Sequence, residues 1–178
     1  AEVGGFWMAA CEVNNRQFRQ FKADHDSGYY VRRLPRPDGM GSPLNGDEQP
    51  VVRVSWHEAV AYCRWLSERT GLEFTLPDEQ QWEYACRAGS DQAMWFGPVG
   101  SDFSCRANLA DRTFSRGVMQ PLDVHPPSTS QWSGGVPHLV LEGAKLAETR
   151  YDDAFSVTSP GGGFDPNPWG LHDLHANA

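Results

Sequence analysis

Two kinds of side chain in this 178-residue chain could do chemistry: four cysteines with six histidines, and oxygen donors gathered in two loop-like segments. Cys11, Cys63, Cys86 and Cys105 show no C-x-x-C pair and no Cys/His cluster, so the spacing of a structural zinc site is missing. His172 and His175, in GLHDLH, stand three apart with Asp173 between them. That spacing would put two imidazoles on one helical face, but no third ligand accompanies them, which weighs against a metal. His57 is expected in the first, exposed turn of a helix, and His25, His125 and His138 read as isolated loop residues. The oxygen donors are in ANLA at 107–110 and DDAF at 152–155. They combine an amide, carboxylates and irregular backbone, the mixture that supplies the about six to eight oxygens calcium requires. Taken singly, Asn108 could equally cap a turn, and Asp152 with Asp153 could be a solvated charge pair.

These residues need elements to position them, and the clearest elements lie between Pro50 and Gly89. Ser55 with Glu58, and Asp78 with Gln81, have the spacing of a capping box, in which an N-cap side chain and the residue three further on satisfy each other's orphan backbone donors. The first helix carries Trp56, Val60, Cys63 and Leu66 at helical spacing and is expected to stop at Gly71, which can take a left-handed conformation. The second follows Pro77, runs through Trp82, Ala85 and Cys86, and is expected to end at Gly89. Cys63 and Cys86 fall on the expected inner faces and read as small buried thiols rather than a reactive pair. Asn14 with Gln17 makes a third capping box, preceded by a predicted short strand that holds Cys11. Residues 23–49 read as a Gly-, Pro- and charge-rich loop. MWFG at 94–97 reads as extended or irregular, and 113–149 as a surface insertion in which LVLEGAKLAE could form one short helix.

Composition sets the limits. Apolar residues make up 39% and charged residues 21%, the balance of an ordinary globular domain. Seven Trp, nine Phe, eighteen Gly and thirteen Pro predict a loop-rich fold held by large aromatic side chains. The net charge of -8 weighs against a nucleic-acid partner, which needs clustered Lys and Arg, and none is expected. No stretch is long and apolar enough for a membrane span, and no signal-peptide pattern opens the chain, so a soluble chain is expected, its compartment undetermined.

The wording PVVRVSW, AYCRWLSERTG and TLPDEQQWEYACRAG, with FWMAACEVNNRQFRQF before it and RANLADR, RYDDAFSVTSP and NPWGLHDLHANA after it, resembles the formylglycine-generating enzyme family, also called the sulfatase-modifying factor family. The resemblance covers nearly the whole chain. It implies a single domain over 1–178 of α+β class, with a C-type-lectin-like, loop-rich fold in which two or three short helices surround a small irregular antiparallel sheet. By the same resemblance, the chain represents the N-terminal and central part of that domain.

The resemblance also assigns residues. A structural calcium in the family is held by an Asn side chain, the next carbonyl, an Asp, and the carbonyl two residues beyond it; these correspond to Asn108, Leu109, Asp153 and Phe155. Ala154 stands where glycine is frequent, which strains the turn if that position needs a positive φ. A second family calcium site maps onto His175, Ala176, Asn177 and Ala178, with its glutamate expected beyond Ala178. Tyr is usual in the family where His172 stands, which favours packing over metal binding there.

Members of the family oxidise a sulfatase cysteine to formylglycine with molecular oxygen, using copper(I) on a cysteine pair; soft thiolates suit that ion. The pair follows an R-G-G-S-type strand, which residues 1–178 do not contain, and none of the four cysteines matches it. The expectation is therefore no catalytic residue in this chain, copper only if such a pair follows, and calcium as structural cofactor. Whether the parent protein is an enzyme stays open. A sulfatase-type protein or peptide is the implied partner, with self-association or a complementing C-terminal segment as further possibilities. The alternative function is a non-catalytic, calcium-stabilised binding or structural module.

Overall fold

In the computed structural model, the structure describes residues 3–30, 42–114 and 150–177. Most of the expected insertion, including the LVLEGAKLAE segment, His125 and His138, lies outside the described residues.

Each of three helices opens on a capping box read from the sequence. Helix α1, Asn15–Arg19, is capped by Asn14, with Gln17 returning a bond to the cap. Helix α2, Trp56–Thr70, is capped by Ser55 and Glu58 and closes on Gly71 at φ 73°. Helix α3, Glu79–Arg87, is capped by Asp78 and Gln81. It stops two residues before the expected Gly89: Ala88 takes the left-handed cap at φ 45°, and Gly89 follows at φ 84°. Strands β1, Tyr29–Tyr30, and β2, Ser42–Pro43, pair antiparallel with Tyr29 opposite Pro43. The strand expected at Cys11 does not form; before Asn14, which bridges Pro50, the described chain is irregular. Helices and a small antiparallel sheet make the class α+β.

The inner face of α2 differs from the expected one. Tyr62 is the buried residue of the helix, while Trp56 is 66% exposed and Cys63 half-buried. The reason is the partner: α2 packs on α1 through an aromatic cluster, with Phe18 5.3 Å from Tyr62, Phe21 5.9 Å from Trp65, and Tyr62 5.6 Å from Trp65. This cluster turns positions 62 and 65 inward, a rotation of one residue from the row that hydrophobicity alone selects. In α3, Ala85 and Cys86 are buried as expected, but Trp82 is 46% exposed.

A polar knot completes this half. Asn15 is fully buried; its Nδ2 donates to the carbonyls of Leu44, Gly46 and Gln49 at 2.8, 2.9 and 3.2 Å, and its Oδ1 accepts from Ser27 Oγ at 2.6 Å. Buried backbone carbonyls need donors, and here one amide replaces a strand ladder. His25 is not an isolated loop residue either: it is buried, with Nε2 3.0 Å from the Val52 carbonyl oxygen and its ring 4.8 Å from Phe18.

Candidate functional site

The two segments rich in oxygen donors meet over a second core. Phe103, Ala107 and Tyr151 are buried there, with Met94, Phe96, Leu109 and Ala176 packed against them. Phe103 lies 5.0 Å from Phe96 and 5.6 Å from Tyr151, whose hydroxyl donates to the Ser101 carbonyl at 2.7 Å. This apolar wedge fixes 107–111 beside 151–155.

Asp153 is the centre of the contact. It is 6% exposed, its Oδ2 accepts from the Leu109 N–H at 2.8 Å, and its Oδ1 accepts from the Phe155 N–H at 2.8 Å. The second bond requires the chain to turn back immediately, and Ala154 sits at φ 71°, the left-handed conformation that glycine adopts without cost. Asn108 is 8% exposed; its N–H donates to the Ala176 carbonyl at 3.1 Å, and its Nδ2 donates to Asn177 Oδ1 at 3.2 Å and to the Val157 carbonyl. Asn177 Oδ1 also accepts from the Ser159 N–H at 2.8 Å, and its Nδ2 donates to Glu12 at 2.7 Å. The five sequence-derived residues thus fall into two hydrogen-bonded groups, Leu109 with Asp153 and Phe155, and Asn108 with Asn177, joined through consecutive residues 108 and 109.

The sequence reading missed Asp111. It is fully buried, with Oδ1 accepting from the N–H groups of Thr113 and Phe114 at 2.8 and 3.1 Å and Oδ2 accepting from the Asp153 N–H. Nothing in LADR separates it from a surface aspartate, because its partner Asp153 is remote in sequence. Burial pushes the Asp153 carboxyl above the usual range; the Leu109 and Phe155 amides oppose that, and the charges of Asp111 and Asp152 add to it.

The donor types suit a hard cation. Asp153 is the single carboxylate among the five residues, and the Asn108 Oδ1 accepts no bond from a described residue. Among the described residues, no group of three His, Cys, Asp or Glu converges on a metal position. The Leu109 carbonyl already accepts from the Asp111 N–H at 2.8 Å, and amide, carbonyl and carboxylate oxygens as donor types suit calcium better than zinc or copper.

The histidine pair separates. Residues 171–177 are not helical; His172 Nδ1 lies 2.7 Å from the Phe164 carbonyl oxygen, whereas His175 turns to α3. His175 Nε2 accepts from the Trp95 N–H at 3.2 Å, which leaves the proton of the neutral ring on Nδ1, 3.3 Å from the Cys86 sulfur. The Cys86 thiol in turn donates to the Leu174 carbonyl at 3.6 Å. Burial lowers the imidazole and raises the thiol, so both stay neutral and the pair is a packed contact. His175 also lines a hollow of about 430 Å³, together with Glu12, Asp173, Met8, Pro77, Trp82 and Leu174. Burial, with the charge of Asp173, lifts Glu12 to about 7 against the Asn177 hydrogen bond.

The model of the sulfatase-modifying factor enzyme 1-like domain matches residues 1–178. The chain belongs to that family. Among its sulfatase-modifying-factor relatives, the formylglycine-generating enzyme of Mus musculus is 32% identical over 215 residues, an alignment covering 98% of this chain and 48% of the mouse protein. The inactive C-alpha-formylglycine-generating enzyme 2 of Bos taurus is 33% identical over 144 residues, covering 80% of this chain and 35% of the bovine one. The solved structure of PvdO from Pseudomonas aeruginosa superposes with a TM-score of 0.54 at 23% identity, over 93% of this chain and 51% of that one, which establishes the shared fold. The chain spans about half the length of the mouse enzyme or less of the other curated relative. The α+β, loop-rich architecture expected from the motifs is that of the sulfatase-modifying-factor family, and no helix among the described residues is long and apolar enough to cross a membrane.

Proposed function

We propose that residues 1–178 form the calcium-stabilised scaffold half of a formylglycine-generating-type domain and do not themselves carry the oxidation. The observation that supports this reading is the closure of Leu109 and Phe155 on Asp153 beside the Asn108 amide oxygen, which accepts no bond from a described residue. Asn108, Asp153 and the carbonyls of Leu109 and Phe155 would hold the ion, with the Asn177 side chain bonded to Asn108 and supporting it. Calcium would supply charge neutralisation for Asp153 and its neighbours Asp111 and Asp152; it does no redox chemistry.

Oxidation of a cysteine by oxygen calls for a thiolate-bound copper(I), and the cysteines here do not offer one. Cys86 is held neutral against His175, Cys63 and Cys11 are raised by burial, and Cys105 is an exposed loop residue. The mouse relative is named a formylglycine-generating enzyme and the bovine one an inactive counterpart, so both a catalytic and a non-catalytic parent protein belong to this family. For a catalytic parent, the partner is a sulfatase-type protein or peptide and copper enters on other residues; for a non-catalytic one, this domain is a binding or structural module.

Two measurements test the proposal. Calcium at millimolar concentration raises the melting temperature of the chain, and Asp153→Asn abolishes the increase; equal melting with calcium or chelator refutes the calcium site. Incubation with a C-x-P-x-R peptide, copper(I) and oxygen leaves the peptide cysteine unchanged by mass spectrometry; formylglycine formation refutes the assignment of chemistry elsewhere.

A further inference from the structure

We propose, resting on the calcium reading above, that Asp111 is a positioning residue for the ion: it holds the Asp153 carboxylate in place through the Asp153 amide and gives no ligand itself. Three hydrogen bonds close a ring that contains it. The Leu109 N–H donates to Asp153 Oδ2 at 2.8 Å, the Asp153 N–H donates to Asp111 Oδ2, and the Asp111 N–H donates to the Leu109 carbonyl at 2.8 Å. Leu109 and Asp153 belong to the calcium set; Asp111 is the third member of the ring. Its Oδ1 accepts from the Thr113 and Phe114 N–H groups at 2.8 and 3.1 Å, which ties the ring to the residues that follow.

The two carboxylates differ in what they have left to offer. A carboxylate has about four acceptor positions. Backbone N–H groups of Thr113, Phe114 and Asp153 occupy those of Asp111, which is fully buried. Asp153 receives the Leu109 N–H on one oxygen and the Phe155 N–H on the other, so each of its oxygens keeps a lone pair for a cation.

The dependence runs through the backbone. Ala154, at φ 71°, folds the chain so that the Asp153 carboxylate reaches the Phe155 N–H, and in that turn the Asp153 N–H points at Asp111. Without an acceptor at position 111, a buried N–H loses its partner and the backbone turns to find another. The Asp153 side chain moves with it. Groups that orient a metal ligand govern affinity in this way, and losing one typically costs about 10–100-fold.

Calorimetric calcium titration of the folded chain separates position from charge and from stability. Asp111→Asn keeps an oxygen for Thr113 and Phe114 but sets an amide N–H against that of Asp153, and the dissociation constant for calcium rises about 10–100-fold. Asp152→Asn removes an equal charge from the exposed neighbour, where solvent screens it, and raises the constant less than about threefold. Asn15→Ala lowers stability in the other half of the molecule and leaves the constant unchanged. A second measurement needs no variant: in the calcium-free wild-type chain, the Asp153 amide exchanges with deuterium about a hundredfold more slowly than an unbonded amide.

A wild-type chain that binds no calcium overturns the calcium reading and this role together. Calcium binding that Asp111→Asn weakens no more than Asp152→Asn or Asn15→Ala does overturns the role of Asp111 alone, and so does fast exchange of the Asp153 amide. If Asp111→Asn does not fold, the exchange rate decides.

Discussion

The Nδ1 of His175 lies 3.3 Å from the sulfur of Cys86, tying the buried face of α3 to a segment 89 residues away. The contact decides the character of this cysteine. With Nε2 occupied by the Trp95 N–H, the imidazole presents a proton to the sulfur instead of taking one, the reverse of the arrangement that activates a thiol.

Alkylation therefore follows exposure and ionisation. With iodoacetamide at pH 8, Cys105 is modified first and Cys86 last, and peptide mass spectrometry at successive times gives the order. Fast labelling of Cys86 in the folded chain would show that His175 acts as its base.

Ala154 holds a positive φ so that Phe155 can bond Asp153. Ala154→Gly removes the steric penalty and loosens the unfolded chain, for a net gain of about 0.5–1 kcal/mol. Urea titration measures it, and a loss of stability would mean that the Ala154 methyl group packs usefully.

Asn15 serves three carbonyls and one hydroxyl from a fully buried position. Asn15→Ala strands those groups and costs about 2–4 kcal/mol in the same titration. Asn14→Ala, which removes only the cap of α1, costs about 1 kcal/mol, so the two neighbours separate cap from knot.

Asp173 is 8% exposed; its Oδ2 accepts from the Gly162 N–H at 2.6 Å, and its Oδ1 has no partner among the described residues. Burial raises its pKa, so the folded state holds the proton more tightly than the unfolded chain. Its contribution to stability is complete below the ordinary aspartate value of about 4 and is lost as pH rises through the folded pKa. Asp173→Asn removes that loss. The variant gains about 1 kcal/mol over wild type at pH 8 relative to its difference at pH 4, read from denaturation at both values. Parallel pH profiles for the two proteins would reject the buried charge as the cause.

What could be read from the sequence follows the range of the forces involved. The three capping boxes depend on residues three apart, and all three are present at the expected atoms. The rotation of α2 onto Tyr62 depends on Phe18 and Phe21 of another element, so periodicity within α2 placed the face one residue off. Asn108 and Asp153 were paired through family motifs, and the chain does bring their segments together. Asp111 carried no such motif, because its importance comes from a long-range bond to the Asp153 amide. Asn15 was invisible for the same reason: the carbonyls it serves lie 29 to 34 residues away, and Ser27 lies 12 away.

That separation gives the Asn15 knot a kinetic meaning. A ladder can zip one bond at a time, each pair placing the next. A single amide that gathers Leu44, Gly46 and Gln49 gains nothing until the whole intervening loop has closed, and the closure entropy must be met in one step. The helices can form early on their local caps; the arrival of residues 44–49 at Asn15 is the event that makes this half of the molecule cooperative.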